Sequence, residues 1–322
     1  MKKTLPYIFA IIAVGVAAYF MSRAFSWQDA YALLKTLSLS FFAILIAFSL
    51  CISFTKGTRF FIILRFNRVK ISWFKTVQAF MASEAFTPLP AGEIGRAVLF
   101  HKKLHIDMEQ VIAPVFLQAL IELWSAACLV VASAFLAGTL LGIWIIGLII
   151  LLGVLSIPIL IPNKLFIFIS FLKRRILNYG WVDRPLDIMR AMEKFFSGRT
   201  ASTRIKFWIT IMTIGIAGQA IGGILIWYIA QMLGAHLTLL QGAFAAAVGA
   251  LIQGVLTIIP GGLGVTEGGL VAVLTSFSVP FNRSVIITLL YRIVTLPLSI
   301  AIALVFLATL YAPKLVTVAK NI

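Results

Sequence analysis

The chain has 322 residues, of which 61% are apolar and only 11% charged, and it carries a formal net charge of +17. No water-soluble domain of this size keeps its surface wet with so few charges, so lipid must be its solvent. The excess of positive charge invites nucleic acid as a partner, but no separate basic domain carries it, and membrane topology accounts for it better.

Taken in chain order, apolar runs near the ~20 residues a helix needs to cross a bilayer place spans at about 5–21, 37–54, 111–137, 141–161, 207–233 and 285–311. The runs are continuously apolar, without the alternation of barrel strands, so helices are predicted. The first follows Lys2-Lys3 as in a secretory leader, but no small-x-small cleavage site precedes Ser22-Arg23, and it reads as a retained span. Cys51 and Cys128 lie inside apolar runs and read as small buried hydrophobes, not as a disulfide framework.

With the N-terminus inside, segments 1–4, 55–75, 92–110, 162–206 and 313–322 hold 23 of the 27 Lys and Arg residues. Positive charge collects on the cytoplasmic side of membrane proteins, so both termini are expected there, in a prokaryotic cytoplasmic (inner) membrane. Two apolar stretches, 76–100 and 242–278, then begin and end on the same side. Their arms are short for crossing, which favours re-entrant hairpins.

The predicted fold is an all-α polytopic membrane protein, a single integral membrane domain over 1–322. About six transmembrane helices and two re-entrant hairpins form an inverted repeat, with halves 1–137 and 141–322. A weak echo supports the repeat: Thr87, Pro90 and Gly92 stand 170 residues before Thr257, Pro260 and Gly262. Within the basic insertion 163–206, Leu186, Met189, Met192, Phe195 and Phe196 recur at near-helical spacing opposite Arg190, Glu193 and Lys194. That pattern reads as an interfacial helix.

The first hairpin contains Pro88, Pro90, Gly92, Glu93, Gly95 and Arg96. The prolines end one helix, and a new one starting after Pro90 carries Glu93 in its first turn and Arg96 three positions on, on the same face. A helix N-terminus beside an arginine suits a lipid phosphate. The plainer reading has Glu93 complementing the helix dipole and Arg96 snorkelling to the interface.

In the second hairpin Pro260, Gly261, Gly262, Gly264, Gly268 and Gly269 break one helix and begin another, and such backbone belongs in a cavity. Glu267 stands alone among uncharged residues, where an ionised carboxylate at mid-bilayer costs roughly 2.5 to 3.5 kcal/mol. It must be paired, hydrated or protonated, and proton coupling is the sharper role for it and for Glu93. Arg292 in the last span is the natural partner for Glu267 or for an anionic headgroup. Glu122 with Gln118, and Glu84, read as structural hydrogen-bonding residues. His101 and His105 have helical i, i+4 spacing but lack a third ligand, so no metal site is expected, and no cofactor is called for.

Three motifs carry a family resemblance: Pro90 to Ala97, Pro260 to Gly268, and Tyr291-Arg292 with Pro297. The chain resembles the flippase-like transmembrane region of lysylphosphatidylglycerol synthases. The resemblance implies translocation of a lipid across the membrane. It does not imply aminoacyl transfer, because the soluble domain that performs that step is not in this sequence.

The leading functional expectation is a translocase for a phospholipid or a polyisoprenyl-phosphate-linked lipid. Arg96, Glu93, Arg292 and Glu267 would shield the headgroup, and membrane lipids, anionic ones first, would be the partners. The sequence has no Gly-x-x-x-x-Gly-Lys-[Ser/Thr] phosphate loop, so downhill or ion-coupled movement is expected and not ATP drive. Two alternatives stay open: a membrane enzyme on lipid-linked substrate with Glu93 or Glu267 as base, and an accessory subunit of an envelope synthase docked through the basic loop.

Overall fold

The computed structural model describes residues 28, 31, 35, 37–87, 92–136, 194–255, 262 and 264–319, and every regular element among them is helical. The predicted spans 5–21 and 141–161 and most of the insertion 163–206 lie outside the described residues, as do Pro90, Pro260 and Gly261. In chain order the elements are α1 (Leu39–Phe66), α2 (Trp73–Ser83) continued by a 3-10 turn (Glu84–Phe86), α3 (Gly92–Leu104) and α4 (Met108–Leu136). They are followed by α5 (Ala201–Met232), α6 (Leu239–Val255), α7 (Val265–Ser276), α8 (Phe281–Ile293), a π-helical turn (Val294–Leu298) and α9 (Ser299–Ala319). Four stretches, Leu39–Phe66, Met108–Leu136, Ser202–Met232 and Phe281–Leu310, are long and apolar enough to cross a membrane.

The helix starts follow from local chemistry. Ser38, Ser72 and Thr200 accept the backbone N–H of Phe41, Lys75 and Thr203, which relieves orphan donors in the first turns of α1, α2 and α5. Pro297 cannot donate into a helical ladder, and the chain around it widens into a π turn. The Val294 carbonyl accepts Ser49 Oγ at 3.1 Å, and the Thr295 and Leu296 carbonyls accept Ser299 Oγ. Backbone freed at a helix defect is thereby satisfied from within the protein.

Two sequence expectations are corrected. α1 does not stop at 54 but runs as one helix to Phe66, carrying Lys56 and Arg59 inside it and not in a loop. The reason is that Phe60, Ile63 and Leu64 keep the buried stripe going past the first charges. Cys51 is exposed, not buried; on a helix solvated by lipid the outer face is apolar too, so apolar surroundings in sequence do not mean an interior position. Phe42, Ile46, Phe54, Ile209 and Val305 are exposed in the same way.

α1 and α5 run antiparallel. Phe41 near the start of α1 stacks on Tyr228 late in α5, with centroids 5.7 Å apart, and Phe66 at the end of α1 stacks on Phe207 early in α5 at 3.9 Å. At the Phe66 end, Asn67 donates to the Gln110 carbonyl at 2.8 Å, Gln78 of α2 to Thr309 of α9 at 3.1 Å, and Phe195 joins the aromatic cluster. Val69, Ile71 and Leu104 pack there with Phe60 and Phe100. At the Phe41 end, Arg283 donates to the Gly234 carbonyl at 2.7 Å, and Phe277 after α7 meets Phe244 of α6 edge-on.

The α2–α3 pair therefore opens at the Phe66 end of the bundle and the α6–α7 pair at the Phe41 end. Their four arms have 11, 13, 17 and 12 residues, each short of the ~20 needed to cross hydrocarbon.

Candidate functional site

At the second helix break, α7 starts where two glycines take left-handed backbone, Gly262 at φ +63° and Gly264 at φ +85°. Side chains other than glycine are strained there. Glu267, in the first turn of α7, accepts the Gly264 N–H on Oε2 at 2.6 Å, and its Oε1 accepts Arg292 Nε at 2.5 Å. Arg292, on the last turn of α8, also reaches Gln253 Oε1 on α6 at 3.4 Å. One ion pair thus ties α6, α7 and α8 together, with side chains only 10% (Glu267) and 7% (Arg292) exposed. Burial removes water from both charges, so each depends on the other for compensation. Gly268, next to Glu267, faces open space.

At the first break, Glu93 and Arg96 form an i,i+3 pair at the start of α3, with Arg96 Nη1 2.8 Å from Glu93 Oε2. Arg96 does not snorkel: it is buried, donates from Nε to Ser83 Oγ at 3.0 Å, and lays its guanidinium 4.4 Å from the Phe80 ring centroid. A weakly hydrated guanidinium over an aromatic face is stable where an ammonium would not be. Gly92 approaches the Phe86 carbonyl too closely for any Cβ, and Gly95 lies against the Phe86 ring. Glu84 accepts Ser53 Oγ of α1 at 2.5 Å, the hydrogen-bonding role expected of it.

In a third cluster the hydrogen-bonding role expected of Gln118 and Glu122 is present, but their partner Arg59 was missed by sequence reasoning. Arg59, buried on α1, donates from Nε to Gln118 at 3.0 Å and from Nη2 to Glu122 at 2.8 Å, both on α4. Lys56, one turn earlier, stands 3.8 Å from the same carboxylate. The signal was present: Lys56 and Arg59 are three apart, Gln118 and Glu122 four apart, each pair on one helix face. Counting Arg59 with the loop cations hid it. His101 spends Nδ1 on the Ile106 carbonyl at 2.8 Å.

The clusters are linked through shared helices. Ser53 of α1 meets Glu84 at the first break, and Ser49, one turn or ~6 Å away along α1, meets Val294 two residues beyond Arg292. Gly254, beside Gln253, is packed on Leu123, the neighbour of Glu122.

Long apolar helices with an interior that turns charged where shorter helices break define an integral membrane protein with a polar centre. The chain belongs to the family described as the lysylphosphatidylglycerol synthase TM region, which it matches over residues 7–303 of its 322. All three clusters fall inside that match, and the resemblance drawn from the three motifs holds. Membership makes this a membrane lipid-related protein. Comparison with curated proteins returns no match.

Proposed function

We propose that the protein is a lipid translocase. In this reading the two broken helix pairs are re-entrant hairpins of an inverted repeat, entering from opposite membrane faces, and the charged groups between them carry an anionic headgroup while the acyl chains stay in lipid. The observation that carries it is the joint placement of two buried arginines: Arg96 donates to Ser83, whose neighbour Glu84 accepts Ser53 of α1, and Arg292 stands two residues before Val294, which accepts Ser49 of α1 one turn away. An unpaired phosphate in hydrocarbon faces an idealised penalty of tens of kcal/mol, so a path must offer donors along its length. Opposed hairpins offer them to each face in turn.

The basic residues support an orientation. Arg65, Arg68, Lys70, Lys75, Lys102, Arg199 and Lys206 flank the Phe66 end and Lys35 and Arg283 the other, so the Phe66 end is the cytoplasmic one under the positive-inside rule. The substrate class is a phospholipid or a polyisoprenyl-phosphate-linked lipid, moved downhill or by ion coupling.

The test is reconstitution of purified protein into vesicles holding a trace of headgroup-labelled phosphatidylglycerol, with an impermeant reductant added outside. Wild type is expected to expose the inner-leaflet label to the reductant, with the lipid chemically unchanged by mass spectrometry. The Glu267→Gln/Arg292→Gln double variant, incorporated equally, is expected to leave that pool protected. Chemical conversion of the lipid would point to an enzyme instead, and a protected inner pool with wild type across phosphate-bearing lipids would refute translocation.

A further inference from the structure

Hydroxyls on membrane helices ordinarily back-bond to a carbonyl one turn earlier, and Thr55, Thr76, Thr210, Thr213 and Thr275 all do so here. Thr266, Thr288 and Thr295 do not: their hydroxyl oxygens are buried with no hydrogen-bond partner. All three lie close in sequence to the two members of one ion pair. Thr266 precedes Glu267, Thr288 stands four before Arg292 on the same face of α8, and Thr295 stands three after it in the π turn. Thr266 and Thr288 are each 1% exposed. The Thr266 hydroxyl points to the mouth of α7, where a Cβ on Gly262 would come within 2.6 Å of it.

Around Glu267 the chemistry is that of an anion site. The α7 N-terminus presents its Gly264 N–H, Arg292 presents its guanidinium, and the threonines hold unused O–H donors. A cation would have to displace Arg292. A carboxylate has two oxygens and meets two of these donors; a tetrahedral phosphate presents more acceptor oxygens and suits the hydroxyls left over. A pair that only joined helices would have no use for three hydroxyls without a protein partner, because buried polar groups in native proteins are nearly all satisfied.

We propose that Glu267 is an internal counter-anion: its carboxylate occupies a phosphate site built by the α7 N-terminus, Arg292, Thr266 and Thr288, and the substrate's phosphate binds by displacing it. This rests on the translocase reading and deepens it, since it names the headgroup chemistry and gives the site a closed form. Displacement frees Glu267 and fixes the phosphate on Arg292; release restores the internal pair and resets the site.

The test uses the full-length protein in detergent and titrates three probes by calorimetry: dihexanoylphosphatidylglycerol, dihexanoylglycerol without phosphate, and inorganic phosphate. Glu267→Gln removes the competitor, so it is expected to bind the phospholipid about tenfold tighter than wild type, while Arg292→Gln loses binding. Thr266→Val and Thr288→Val remove hydroxyls that bond to nothing, so their thermal midpoints should hold or rise while affinity falls about threefold or more. That pairing of signs is one a purely structural threonine cannot give.

Binding of inorganic phosphate to Glu267→Gln as strong as that of the lipid would assign the site to free phosphate, and binding of the lipid alone to a headgroup; either supports displacement. Unchanged or weaker phospholipid affinity in folded Glu267→Gln, or equal binding of dihexanoylglycerol, would overturn it. Should Glu267→Gln not fold, unchanged affinity in Thr288→Val would overturn it and the expected fall would support it. Lipid movement by wild type without tightening in Glu267→Gln would sink only the displacement, and tightening without lipid movement only the translocase.

Discussion

Glu267 and Arg292 share a sealed pocket with one strong link between them, whereas the charges on the α1, α3 and α4 side form an open mesh. Glu93 keeps 44% of its side chain exposed, and Lys56 and Glu122 keep 36% and 33%. In the mesh, Glu122 has both Arg59 and Lys56 as cationic neighbours, and Arg96 has Glu93, Ser83 and the Phe80 ring. In the pocket, Glu267 has Arg292 as its cation. Among the described residues no second cation stands within ion-pair distance of Glu267 when Arg292 is lost; a mesh has substitutes and solvent.

That difference can be broken from its stronger side first. Arg292→Ala should strand a buried carboxylate and cost about 3–5 kcal/mol, read as a lowered thermal midpoint together with loss of lipid movement. Replacing both partners, as in Glu267→Gln/Arg292→Gln, should recover most of the stability and none of the movement. Arg59→Ala should cost less, about 1.5–3 kcal/mol, because Lys56 remains near Glu122; adding Lys56→Ala should then cost more than it does in wild type. Gly215→Ala would push a methyl into the Ser125 hydroxyl beside Arg59, an overpacking cost of about 1 kcal/mol, and Ser125→Ala should relieve it. Glu93→Gln should shift stability by less than about 1 kcal/mol, since the Glu93 carboxylate is exposed to solvent and Arg96 keeps Ser83 and the Phe80 ring.

The sequence was most informative where a charge stood alone. Glu267 and Arg292, isolated in apolar runs, could be paired on paper because an unpaired charge there is too costly. The Glu93–Arg96 spacing announced its own contact. Arg59 was hidden by company: next to Lys56, Arg65 and Arg68 it looked like one more loop cation, and only the continuing stripe of Phe60, Ile63 and Leu64 shows that the helix runs on. Gln253 was invisible because a neutral side chain gives no electrostatic reason to look for a partner. The π turn at Pro297 was not read from the sequence, because whether a proline yields a kink or a π turn depends on which neighbours satisfy the freed carbonyls, and Ser49 lies 245 residues from the carbonyl it meets.

The account depends on the two helix pairs opening to opposite membrane faces. The direct measurement places single cysteines at Lys102, closing the α2–α3 pair, and at Ser276, closing the α6–α7 pair, in a Cys51→Ser/Cys128→Ser background, and labels sealed membrane vesicles of known sidedness with an impermeant maleimide. Labelling of the two positions from opposite faces, with Lys102→Cys reached from the cytoplasmic one, is the predicted result. Labelling of both from the same face would contradict it.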